Sequence, residues 1–422
     1  PEFDIEYHVR HIALPKPGDW RQLCIQVSRL HARPMDLAKP LWEFTIVEGL
    51  DNIEGLPPGC FALVSKVHHA AIDGMSGVEM SAALHDIDVA MTAPAKPDDW
   101  QAENMPKVAD LLARSYLNNL VQPMRVMETI GRSLPGIAKL GVQVGKGDVS
   151  LSGARPAPRT RFNAKVSAHR VFDAVPFPLA DIRALKDAVP GATVNDVVLT
   201  IVGGALRTYL QGRGELPRDS LSAMAPISVR GDGEKGAAGN LVAAMVVGLG
   251  TQIDDPVERL RYVHGEAGNS KAMTNAVGAR NLAAYSQLVP SGLAGLAARL
   301  YSRVGAANAH APIFNCVVTN VPGSRVPLYF AGARMVGMYG TAPVFDGMGL
   351  INPVYSYGDT LAISFTACRT AMPDPAAYAD ALRGSFQAFK DRVATHAAKP
   401  TPALPVEGND NPAPARRTRK GA

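Results

Sequence analysis

The sequence predicts two α/β lobes facing one another across a cleft. Apolar stretches of strand length and of helix length occur on both sides of a segment rich in Pro and Arg, residues 155–161. The chain has 422 residues, of which 47% are hydrophobic and 19% charged, so there is ample apolar material for a large core. Each half holds both element types, and facing mixed layers are the simplest way to bury them. A ligand belongs in the cleft between.

Taken in order, residues 20–30 read as a helix and 44–50 as a strand. Residues 61–69 read as a second strand, which feeds a helix near 75–86. Pro94, Pro97, Asp98 and Asp99 then break the pattern. Residues 105–146 mix apolar side chains with Lys107, Arg114, Arg125, Arg132, Lys139 and Lys146. That mixture fits a connection packed across the surface, or a basic amphipathic stretch resting on a membrane or lipid droplet. Residues 155–161 read as a linker.

In the second half, Val194, Val197, Val198, Ile201, Val202, Ala205, Leu206 and Tyr209 follow helical spacing, and Gly212 supplies a stop. Residues 221–229 and 241–249 read as strands, and 256–304 as mostly helical. Residues 314–321 and 335–339 are strand-like. Gly358-Asp359 turns a hairpin between 354–357 and 360–366. Residues 375–396 form a closing helix, and disorder is expected beyond Lys399. The divisions are thus 1–90 for the first lobe, 91–165 for the crossover, 166–398 for the second lobe and 399–422 for a basic tail. The chain opens at Pro1 inside what reads as the middle of a fold, so an N-terminal part of the first lobe is expected to be missing from this sequence.

The net charge is +5, and Arg416, Arg417, Arg419 and Lys420 supply part of it. A mildly basic body favours anionic lipid or a phosphate-bearing cofactor over nucleic acid. No zinc-ligand spacing occurs and aromatics are only 6%. Cys24, Cys60, Cys316 and Cys368 stand far apart. They make neither a disulfide framework nor a metal site, and free thiols in a reducing cytoplasm fit them best. Neither a signal peptide nor a membrane-spanning apolar run is present.

The chemistry gathers at His68-His69-Ala70-Ala71-Ile72-Asp73-Gly74. Side chains alternate along a strand, so His69 and His68 should face opposite ways if the strand persists to its end. Ala70 and Ala71 are small enough for close approach of a ligand, and Asp73-Gly74 reverses the chain. Histidine titrates near neutral pH, as a base acting on an alcohol must. Two adjacent histidines also fit a structural or metal-binding role, but no third ligand stands at helical spacing. A nucleophile-elbow serine is absent, which speaks against a covalent acyl-enzyme.

His-His-x-x-x-Asp-Gly resembles the signature of CoA-dependent acyltransferases, which peptide-synthetase condensation domains share. Three further segments narrow the resemblance: Pro40-Leu41-Trp42, Asn195-Asp196, and Thr319-Asn320-Val321-Pro322-Gly323. In this order they resemble the bacterial bifunctional wax ester synthase/diacylglycerol acyltransferase family over about residues 1–396. The resemblance implies a chloramphenicol-acetyltransferase-like fold of two lobes with a central tunnel. It also implies transfer of a long-chain acyl group from acyl-CoA to diacylglycerol or a long-chain alcohol.

His69 would be the base, with His68, Asp73 and Gly74 shaping the site. Pro40, Leu41 and Trp42 would build the pocket wall, and Asn195 and Asp196 would brace the second lobe. Asn195 and Asp196 equally fit helix capping. Asn320 fits a turn residue or an oxyanion donor. Gly347, Met348 and Gly349 could leave room for an acyl channel. No metal or cofactor is expected, since acyl-CoA enters as co-substrate. The expected location is cytoplasmic, peripheral to the inner membrane or lipid droplets. The alternatives are a condensation-type enzyme using carrier-protein thioesters and a non-catalytic lipid-droplet protein.

Overall fold

The computed structural model describes residues 4–71, 80, 82–90, 107–114, 116–117, 124, 131, 142, 156–228, 242–277 and 299–397. In the first lobe, helix α1 (Ile5–His8) leads into β1 (Val9–Ala13), followed by α2 (Trp20–Ala32), β2 (Trp42–Glu48) and β3 (Ala62–Val67). The Asp19 side chain accepts from Gln22 N–H while the Gln22 side chain accepts from Asp19 N–H, a reciprocal cap that starts α2. The strands form a sheet in the order β1-β2-β3, parallel then antiparallel, with Trp42 opposite Val67.

The second lobe contains β4 (Arg170–Pro178), α3 (Leu179–Lys186), α4 (Val194–Gln211), β5 (Ser222–Ser228), β6 (Val242–Gly248), α5 (Pro256–Val277) and β7 (Cys316–Pro322). After it come the short β8 (Tyr329–Phe330) and β9 (Ala333–Arg334), then β10 (Leu350–Tyr357), β11 (Thr360–Cys368) and α6 (Pro375–Ala397). Six of the strands form one mixed sheet, ordered β4-β11-β10-β7-β5-β6. One face is covered by helices: Val171, Val175, Val318 and Ile363 of the sheet bury against Val198, Leu206, Leu260 and Phe389. This apolar contact is the main core.

Two joins tie the halves together. Leu23, Cys24 and Val27 of α2 pack with Phe172 and Ala174 of β4. Within that contact the buried Asp173 accepts from Trp20 Nε1 at 2.7 Å and from Ala174 N at 2.8 Å. The second join is backbone: Asp86 and Tyr329 exchange N–H···O bonds, each 2.8 Å long.

Two expectations are corrected. Residues 335–339 are not a strand. Met335 N still donates to Leu328 O at 2.8 Å beside the short β8–β9 pair, but no strand pairing continues past it, and just beyond the segment Gly340 N donates to Ser364 Oγ and Ala342 N to Thr366 Oγ1 of β11. Residues 156–161, within the segment read as a linker, are packed against the second lobe, where Ala157 is buried and Arg159 donates to the carbonyls of Ala307 and His310. The strand expected over 61–69 stops at Val67. Met80, Ala82 and Ala83 are helical, as are residues 108–114; the rest of the helix expected near 75–86, most of 105–146 and the tail lie outside the described residues.

Candidate active site

The end of β3 brings the histidines to a cavity. His68 N donates to Leu41 O at 2.9 Å, one step past the last strand pair, and there the ladder ends. Ala71 N then donates to His68 O at 2.9 Å, closing a tight turn, and Ala70 N donates to His68 Nδ1 at 3.1 Å. With Nδ1 accepting, a neutral His68 carries its proton on Nε2. His69 takes the second position of the turn and is exposed. Because extended alternation has already ended, both histidines line the same cavity, against the expectation of opposite faces. Asp73 and Gly74 lie outside the described residues.

The cavity encloses about 2330 Å³ between the lobes. Sites for drug-sized ligands run to roughly 300–1,000 Å³, so this space suits a much larger substrate or two at once. The first lobe contributes Val27, Leu63 and His69 to its wall, and the second Phe172, Met348 and Tyr355. Burial pushes the Tyr355 hydroxyl above its ordinary pKa.

Pro40, Leu41 and Trp42 are placed differently from the wall expected of them: none lines the cavity. The Leu41 carbonyl holds His68. The Trp42 ring packs on His8 at 4.5 Å and on Phe44 at 4.9 Å, and the Trp42 carbonyl accepts from His8 Nδ1 at 2.7 Å. The segment therefore fixes the backbone behind the histidines. Asn195 and Asp196 do not line the cavity either. Thr193, not Asn195, is the N-cap of α4, and Asp196 completes the reciprocal cap. Asp196 is buried, and its Oδ2 meets His264 Nδ1 at 3.0 Å, joining α4 to α5. Asn320 sits within β7 opposite Val354 rather than in a turn, and its exposed side chain lines the cavity with Thr319 and Val321. Met348 lines it too, whereas Gly347 and Gly349 do not.

Residues 1–198 match the wax ester synthase/diacylglycerol acyltransferase catalytic domain, and residues 238–390 match the C-terminal domain of the same family. The chain belongs to this family. It is 31% identical over 398 residues to the O-acyltransferase WSD of Acinetobacter baylyi, covering 93% of this chain and 82% of that one. A Mycobacterium tuberculosis protein named as a probable diacylglycerol O-acyltransferase is 34% identical over 380 residues, covering 88% of this chain and 78% of its own length. A wax ester synthase/diacylglycerol acyltransferase structure from Marinobacter aquaeolei superposes with a TM-score of 0.63 at 27% identity, covering 93% and 82% of the two chains. The family is one of acyltransferases, and the chain is an acyltransferase with its two-lobed α/β fold.

Sequence reasoning missed three side chains of this acyltransferase that shape the wall or its support. Asp173 is the one acid in β4, and Lys66 the one charge in β3. A lone charge in an apolar strand is the signal that would have found Lys66, and an acid between apolar neighbours the one that would have found Asp173. His31 carries no such signal. It lies at the end of α2 in the cavity wall, where burial first, then Lys66 and Arg170, lower its pKa to about 4.

Proposed function

We propose that the chain transfers a long-chain acyl group from acyl-CoA to an alcohol. Diacylglycerol would give triacylglycerol, and a long-chain alcohol would give a wax ester. The observation that carries this reading is the position of His69: exposed on a turn, in the wall of a largely apolar cavity of about 2330 Å³, in a chain of this family. The names of the relatives support both acceptors.

In the proposed reaction His69 takes the hydroxyl proton as the alcohol oxygen attacks the thioester carbonyl. The carbon–sulfur bond breaks, and the departing thiolate receives that proton from His69. Direct attack needs no acyl-enzyme and no metal. General base catalysis of this kind contributes about 10²–10⁴-fold. His68 supports the turn through its Nδ1, and Asn320 stands in the same wall as a candidate partner for the carbonyl oxygen.

The acceptors are nearly insoluble, so the enzyme would meet them at a lipid surface. Among the described residues no helix is long and apolar enough to cross a membrane. Peripheral attachment, to the inner membrane or to lipid droplets, is supported by the helical residues Val108, Leu111 and Leu112, whose side chains are exposed. The test is a thiol-release assay with palmitoyl-CoA against diacylglycerol and hexadecanol. Acceptor-dependent thiol release with matching ester is expected. Thiol release that ignores the acceptor, or none at all, sinks the reading.

A further inference from the structure

The cavity wall is charged in one sense. Its described lining carries Arg33, Lys66, Arg170, Arg334 and Arg383 against one carboxylate, Glu54. Arg383 pairs with Asp380 at 2.8 Å. Among the described residues the other four have no acidic side chain within ion-pair distance, and the Glu43 carboxylate nearest Lys66 is already held by Arg10 at 3.2 Å.

Three of these cations gather where α2 ends. Lys66 reaches from β3 and donates to Leu30 O at 3.0 Å and to Arg33 O, two of the carbonyls that a helix end leaves without partners. Arg170, at the start of β4, donates to the carbonyls of Ser167 and His169. Arg33 follows the last residue of α2. His31 stands among them, bonded to the Ala342 backbone, and is uncharged at neutral pH. Burial holds the Lys66 amine below its ordinary pKa, and Arg33 and Arg10 press it further down against the opposing pull of Glu43.

Like charges brought together in a partly dry wall oppose folding. Helix capping accounts for Lys66 and the bonds to Ser167 and His169 hold Arg170, which leaves Arg33 as the cation with no described structural reason to stand there. A concave wall of one sign focuses its field on whatever enters and draws in a ligand of opposite charge. We infer that Arg33, Lys66 and Arg170 form the subsite that holds the phosphate groups of the acyl donor. This rests on the acyl-CoA reading above. It adds which wall takes the nucleotide end and, by exclusion, leaves the apolar wall around Leu63, Met348 and Tyr355 to the acyl chain and the acceptor. Lys66 stands three residues before His69 in the chain, and both line the same cavity, as a donor held at its phosphates and its thioester requires.

The test replaces Arg33, whose guanidinium holds no described part of the fold, by Gln. Two KM values are compared, for palmitoyl-CoA and for palmitoyl-pantetheine, which lacks the nucleotide phosphates. Loss of a charge-assisted contact should raise the first about ten- to hundredfold and leave the second near its original value. CoA affinity measured by calorimetry, which needs no turnover, should fall by the same factor. The subsite is wrong if both KM values rise together, if neither moves, or if CoA binds the two proteins alike. It is also wrong if Arg33→Gln abolishes capture by phosphatidic acid vesicles while CoA affinity stays intact, because these cations then serve a lipid headgroup. Intact CoA binding without any acceptor-dependent turnover would instead leave the subsite standing and remove the proposed reaction.

Discussion

His69 follows a strand that ends two residues before it, and that detail gives the residue its use. Had β3 run on, one histidine would have turned into the protein. The early turn, closed by Ala71 N on His68 O, puts both in the cavity wall. His69→Ala should therefore lower kcat by about 10²–10⁴-fold with an unchanged melting temperature, and a variant that keeps half its turnover would refute the base assignment. His31 gives a second test at this scale. Its pKa falls from the ordinary 6.5 to about 4 in the fold, through burial and then Lys66 and Arg170. Above the unfolded value both states are neutral. As pH falls from 6.5 towards 4 the unfolded chain gains a proton that the folded chain resists, so stability is lost across that window, by up to about 3 kcal/mol. Denaturant titrations of wild type and His31→Gln should diverge there, the variant losing less; parallel curves would show that His31 does not oppose protonation.

At the scale of elements, what the sequence made legible was periodicity, and what it hid was tertiary placement. The spacing from Val194 to Tyr209 marks α4 and its stop at Gly212, although the helix is buried on every side from Asp196 to Leu206 and not along a single stripe. Gly358 marks the β10–β11 turn, where φ is +58°. The strand-like look of residues 335–339 misleads, because backbone pairing stops at Met335 and the residues just beyond the segment are bound by hydroxyls of β11. For the site, the His-His segment stands out in the sequence, whereas Asn320, read as a turn residue or an oxyanion donor, lies within β7. Pro40, Leu41 and Trp42 act one layer behind the wall, and no local pattern separates the two positions. Close packing can be tested at Gly203, where an added Cβ would stand 2.3 Å from Leu249 O. Gly203→Ala should destabilise by about 1–3 kcal/mol, since helix and backbone must separate. Gly265→Ala in α5 meets nothing within 4 Å and should stabilise by about 0.5–1 kcal/mol. Thermal melts that shift in the same direction for both would mean that α4 does not lie against Leu249.

Under the proposed reaction, the whole molecule would bring a soluble, charged donor and two water-insoluble classes of acceptor to one histidine. The cavity between the lobes meets the first requirement. The second calls for a lipid-facing surface, and the candidate is the segment that includes Val108, Leu111, Leu112, Tyr116 and Leu117, all with exposed side chains. Two basic regions could hold the protein to an anionic surface: residues 105–146, and Arg416, Arg417, Arg419 and Lys420 in the tail, which lies outside the described residues. Each such charge near the surface is worth about 1 kcal/mol and is screened by salt. Apolar insertion is not screened, so the longer stretch should hold through higher salt. Deleting the tail is therefore expected to weaken sedimentation with anionic vesicles only at low salt. Replacing Arg114, Arg125 and Arg132 with Glu should weaken it more, because the charges then oppose insertion of the neighbouring apolar side chains. An intact protein that stays in the supernatant at low salt would rule out attachment through either region, and the enzyme would then have to collect its acceptor by another surface.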